Sequence, residues 1–121
     1  MRVVYLLGIE MHVAVIISSN DSETVWNAFR FANTSLANSS LVDIFLLGKG
    51  VEAATVSTLK FDIQEQMEIF RASGGSLIGC GMCCESRKEE MPFLQEGLKC
   101  EMGSMQQLYG LVAAADKVLT F

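Results

Sequence analysis

The feature that most constrains this chain is a rhythm of short apolar runs separated by helix-patterned segments. His12–Ile17 is a continuous apolar, β-branched stretch closed by Ser18-Ser19-Asn20-Asp21. A strand buried on both faces needs such a run, and strands of that kind belong to parallel sheets. The next segment puts Val25, Trp26, Phe29, Ala32 and Leu36 on one helical face, with Asn20 and Glu23 as the expected capping pair. Residues 41–47 read as a second strand, ended by Gly48-Lys49-Gly50, and residues 51–59 as a short helix. Asp62 and Glu65 cap a further helix carrying Ile63, Met67 and Phe70, which Gly74-Gly75 stops. Ser76–Cys80 is a third strand. A short helix over 85–90, broken near Pro92, and a fourth strand over 98–101 follow. Ser104 and Gln107 form a capping box for a helix with Leu108, Leu111, Val112 and Ala115 on its apolar face, and 117–121 is a terminal strand. This alternation predicts one three-layer α/β/α domain with a mainly parallel sheet of about five strands.

Composition narrows the function classes. A chain of 121 residues buries about two-thirds of its surface on folding, so it holds a core without staples. With 50% hydrophobic and 19% charged residues it is not a disordered chain. Its net charge of −5 supplies no basic face for nucleic acid. The longest apolar stretch, 3–17, is interrupted by Glu10 and His12 and falls short of a membrane span. The opening Met1-Arg2 and the apolar residues after it imitate a secretion signal, but Glu10 breaks the apolar stretch and no small-x-small site follows. A cytoplasmic protein is therefore expected. It is read as a single domain over 1–121, with 1–10 as an N-terminal extension ahead of Met11.

In open α/β sheets, chemistry gathers at the carboxyl ends of strands. Three such ends stand out: Ser18 to Asp21, Gly48 to Gly50, and Cys80 to Cys84. Three of the four cysteines crowd into the last of these, and only Cys100 lies elsewhere. Crowding of that kind points to reactive or metal-binding thiols in a reducing compartment. Cys80-Gly81-Met82-Cys83 is a C-x-x-C at a strand end before a helix, where a thiolate is favoured. Gly79 and Gly81 leave room for a close approach. Cys84 is either an additional thiol or core.

A zinc site would need more ligands than Cys84, Cys100 and His12 offer, so no metal and no cofactor is expected. A thioredoxin-like pair would need a cis-proline well downstream, and Pro92 is too near the motif. Lys49 lies between glycines without a phosphate-loop signature; it faces the cleft as a positive charge or is simply solvated. Arg87 and Lys88 either raise the local positive potential or form a solvated helix face. His12 reads as structural.

These residues resemble the DsrE/DsrF-like sulfur-relay family, which includes the DsrEFH, TusBCD and YchN-like proteins. The resemblance is carried by the opening strand from His12 to Ser18, by Leu46-Leu47-Gly48-Lys49-Gly50-Val51, by Gly79-Cys80-Gly81-Met82-Cys83, and by the tail from Gly103-Ser104-Met105 to Leu119. It implies that Cys80 accepts sulfane sulfur as a persulfide and passes it on. Cys83 matches a second cysteine found in many relatives, whereas Cys84-Glu85 departs from the small or apolar residues expected there. The resemblance also implies sulfur donor and acceptor proteins as partners and a homo-oligomer, a trimer or a hexamer. The alternatives are a non-catalytic oligomeric binding module of the same fold and a small zinc-binding protein.

Overall fold

Strand β1 (His12–Ile17) pairs with β2 (Leu41–Leu46) on one side and with β5 (Lys117–Thr120) on the other. β3 (Ser76–Cys80) joins β2, and β4 (Glu101–Gly103) closes the far edge. The order is β4-β3-β2-β1-β5 and every pairing is parallel, as the apolar runs predict. The computed structural model describes residues 11–121. The readings that concern residues 1–10, as extension or signal-like start, lie outside the described residues.

The crossovers are α1 (Ser22–Ala37), a 3₁₀ helix (Gly48–Thr55) with α2 (Ile63–Ala72), α3 (Gly81–Glu85) with α4 (Leu94–Leu98), and α5 (Met105–Ala114). α1 packs on α2, and both α1 and α4 pack against the 3₁₀ helix, forming one layer. Successive strand residues look to opposite faces. Gly79 looks toward Leu98 of α4, while a Cβ at Gly103 would meet its neighbour Ile78, Phe45 and Gln107 of α5. α5 therefore forms the opposite layer, and the sheet is covered on both sides. The core is built from Val15, Ile17, Phe29, Ile44, Phe45, Leu46, Ile63, Met67 and Phe70, all buried.

Several boundaries differ from the sequence reading, each for a local reason. The cap of α1 is Asp21, which accepts from the Thr24 amide at 3.0 Å and the Thr24 hydroxyl at 2.9 Å, so Asn20 does not cap the helix. The helix expected over 51–59 is the 3₁₀ helix, beginning at Gly48. It ends where the Val56 amide turns back to the Ala53 carbonyl and the Ser22 hydroxyl binds the Val56 carbonyl. The helix expected over 85–90 lies instead at Gly81–Glu85, where the Cys80 sulfur caps it, and residues 86–90 form turns. The strand expected over 98–101 is displaced to Glu101–Gly103, since buried Leu98 completes α4 and Lys99 turns left-handed at φ 50°. The caps Asp62 and Ser104 form as predicted, the latter reciprocally with Gln107.

The tightest glycine is Gly50. A Cβ on Gly50 would stand 1.9 Å from the Ile17 carbonyl oxygen, a backbone atom that cannot move aside. On Gly81 it would meet nothing closer than 3.5 Å. Gly50→Ala is therefore expected to lower unfolding free energy by roughly 1–3 kcal/mol, and Gly81→Ala to change it by less than about 0.5 kcal/mol. Denaturant melts of the two variants check this; equal stability of both would contradict it.

Candidate functional site

The three strand ends converge. Parallel register sets Ile17 beside Leu46 and Leu46 beside Gly79, so the segments that follow them lie side by side. The loop after β1 brings Asn20, the 3₁₀ helix brings Gly48 and Glu52, and α3 brings Cys83 and, just beyond its end, Arg87.

The thiols form the centre. The Cys83 amide donates to Cys80 Sγ at 3.3 Å, and the Gly48 amide donates to Cys83 Sγ at 3.2 Å. Gly48 has φ +54°, a left-handed conformation that glycine adopts without strain. Cys80 is only 4% exposed, Cys83 is half-buried, and all four cysteines are free. Burial, and then the hydrogen bond to Cys80, push the Cys83 thiol above its ordinary value of 9.0; the Gly48 amide and the Arg87 charge oppose them. Cys84 belongs to the core cluster and is also pushed up, first by burial and then by Cys80 and Cys83. It lines a separate cleft of about 140 Å³ with Glu85, Lys88, Met91, Pro92, Leu94 and Gln95. Cys100 is half-buried and is pushed to about 11, chiefly by burial.

Beside the thiols runs an ionic chain. Arg87 Nε donates to Glu52 Oε2 at 2.8 Å and Arg87 Nη1 to the Cys83 carbonyl at 3.1 Å, while Asn20 Nδ2 donates to Glu52 Oε1 at 3.3 Å. The Arg87 hydrogen bond holds the Glu52 carboxyl below its ordinary value of 4.5, so the pair is intact at neutral pH and is lost as pH falls below that value. Arg87 is thus paired and largely buried, not a solvated side chain, and its charge raises the local positive potential at Cys83. Lys88 does lie on the surface, paired with Glu85 at 2.9 Å.

The remaining candidates are placed as follows. Gly79 is buried under Leu98, Met102 and Cys100, so its missing side chain serves packing, not access from outside. Gly81 is half-buried next to the Gly103 carbonyl, and Lys49 is exposed beside Gly48. His12 lies at the opposite end of the sheet, where Nε2 meets Asp43 Oδ2 and its amide donates to Asp116 at 2.8 Å. Among the described residues no group of three or more His, Cys, Asp and Glu is arranged to hold a metal ion. No helix among them is long and apolar enough to cross a membrane. Glu52 went unrecognised in the sequence, and Asn20 was read only as a helix cap within the Ser18 to Asp21 strand end; the register of β1, β2 and β3 brings both to Arg87.

The architecture is that of a parallel α/β domain with a C-x-x-C at the end of its third strand. The sequence model of the DsrE/DsrF-like family matches residues 11–121, and the chain belongs to that family. An uncharacterized protein of Methanocaldococcus jannaschii is 32% identical over 102 residues, 82% of this chain and 88% of the relative. A conserved protein of unknown function from Bacteroides thetaiotaomicron has the same fold, with TM-score 0.73 at 19% identity over 91% of this chain and 94% of its own.

A C-x-x-C turn brings two sulfurs together without strain, whereas neighbouring cysteines on a helix diverge by about 100°. Mild oxidation followed by non-reducing peptide mapping is expected to give a Cys80–Cys83 link with Cys84 free. Alkylation near neutral pH is expected to reach Cys80 first and Cys100 last. A dominant Cys83–Cys84 link would contradict the geometry, and preferential labelling of Cys100 would contradict Cys80 as the reactive thiol.

Proposed function

We propose that this protein is a small sulfur-relay protein that takes up sulfane sulfur as a persulfide on Cys80 and passes it on, with Cys83 as the assisting thiol. The observation that carries this reading is the Cys80–Cys83 pair, held at the C-terminal end of β3 with one backbone amide on each sulfur. Membership of a family associated with sulfur relay supports it.

In uptake, the Cys80 thiolate attacks the outer sulfur of a donor persulfide. A new S–S bond forms on Cys80, the donor's S–S bond breaks, and the donor leaves as its thiolate. Delivery has two routes. An acceptor thiolate can take the outer sulfur and restore Cys80. Alternatively, the Cys83 thiolate attacks Cys80 Sγ, which closes the Cys80–Cys83 disulfide and releases the outer sulfur as hydrosulfide. That second route oxidises the two cysteines by two electrons and reduces the sulfane sulfur to sulfide, so an external dithiol must reset the pair. Burial pushes the Cys83 thiol up, which lowers its thiolate fraction and slows the second route. The loaded sulfur waits for an acceptor. Sulfide release is expected to accelerate as pH rises and still to be rising at pH 9.0.

The partners on this reading are donor and acceptor proteins in a reducing, cytoplasmic setting, where four free thiols persist. A homo-oligomer, trimer or hexamer, is part of the proposal. α5 buries Leu108 but leaves Met105, Tyr109 and Val112 exposed at i, i+4 and i+7, one stripe of its surface. Met82, between the two cysteines, is 79% exposed. Light scattering at micromolar concentration is expected to give a multiple of 13.2 kDa, and a monomer mass would contradict it.

Intact-protein mass spectrometry after mixing with a sulfane-sulfur donor tests the activity. One added sulfur atom, removed by dithiothreitol, is expected in the wild type and in Cys83→Ser, and none in Cys80→Ser. No addition to the wild type would overturn the proposal.

A further inference from the structure

We infer that Glu52 and Arg87 are positioning residues for Cys83: the ion pair holds the Cys83 sulfur on the Gly48 amide and so governs how readily Cys83 discharges a persulfide on Cys80. The inference rests on the sulfur-relay reading and deepens it. Its basis is the path of the contacts. Glu52 lies one turn beyond Gly48 on the same 3₁₀ helix, and Arg87 lies four residues beyond Cys83. The Arg87 guanidinium spans the two segments, with Nε on Glu52 at 2.8 Å and Nη1 on the Cys83 carbonyl at 3.1 Å. Asn20 fixes the other carboxylate oxygen of Glu52, so a third segment anchors the clamp. The Gly48–Cys83 contact of 3.2 Å is therefore backed by an ionic tie between the segments that follow the two residues.

An exposed ion pair contributes little to stability. This one is different in setting: the Glu52 and Arg87 side chains are only 13% and 22% exposed. A planar guanidinium can serve two acceptors in fixed geometry, which an ammonium cannot do equally well. The chemical consequence falls on the resolving step. There the Cys83 thiolate forms the bond to Cys80 Sγ while the bond from Cys80 to the outer sulfur breaks and hydrosulfide leaves. The Gly48 amide and the Arg87 charge both favour the ionised sulfur that must attack.

The test uses the full chain, reduced and without any sulfur donor. Exchange of the Gly48 amide is followed by NMR, and alkylation of Cys83 is followed against pH by peptide mapping. In Arg87→Met, Gly48 exchange is expected to rise about tenfold. Cys83 alkylation is expected to need a higher pH, while the amides of β1 and β2 keep their protection. Arg87→Lys is expected to restore part of both signals. Wild-type Gly48 exchange together with a wild-type Cys83 profile in Arg87→Met overturns the inference. Should that variant lose the folded spectrum, Glu52→Gln is read instead: faster Gly48 exchange supports the clamp and unchanged exchange overturns it. Neither signal needs sulfur transfer, so a failed persulfide proposal would show separately, as a wild type that takes up no sulfur.

Discussion

The site depends on the parallel pairing of three neighbouring strands. β1, β2 and β3 run the same way and in register, so their carboxyl ends meet at one edge. Each strand is then followed by a segment that has to turn over that edge. Gly50 makes the closest approach, against the Ile17 carbonyl, and this contact seats the 3₁₀ helix. With the 3₁₀ helix seated, the Gly48 amide reaches Cys83 and Glu52 reaches Arg87. A sheet with one strand reversed would separate these groups by a strand's length.

The chemistry of the thiols follows from a contest between burial and local donors. Burial raises Cys83, Cys84 and Cys100 alike, and it dominates in each. Only Cys83 among these three has both a backbone amide on its sulfur and a hydrogen-bonded sulfur partner. Cys84, one residue further, turns into the core and toward a different cleft. A single helical step thus separates a thiol that faces Cys80 from one that does not. In the proposed relay Cys80 loads, Cys83 is the assisting thiol beside it, and Cys84 stands aside.

Much of this was legible in the residues. The β-branched run His12–Ile17 and the alternation behind it specify a parallel sheet, and the capping residues Asp62 and Ser104 mark their helices correctly. The C-x-x-C was visible as a strand-end motif. Boundaries failed where two residues of equal aptitude compete, as with Asn20 and Asp21 at the start of α1. They failed again between Cys80 and Gly103, where short helices carry no periodicity long enough to read. The Glu52–Arg87 clamp was not legible at all. Its members are 35 residues apart, and only the folded register joins them.

The most direct test of the central claim is to locate the sulfur. The protein is loaded with a sulfane-sulfur donor, blocked at once with an alkylating agent and digested, and the alkylated persulfide is assigned by fragmentation. The sulfane atom on Cys80, with Cys83 carrying only the alkyl group, is the expected result. A sulfane atom found on Cys100 or Cys84, with Cys80 carrying none, would contradict the assignment of the site.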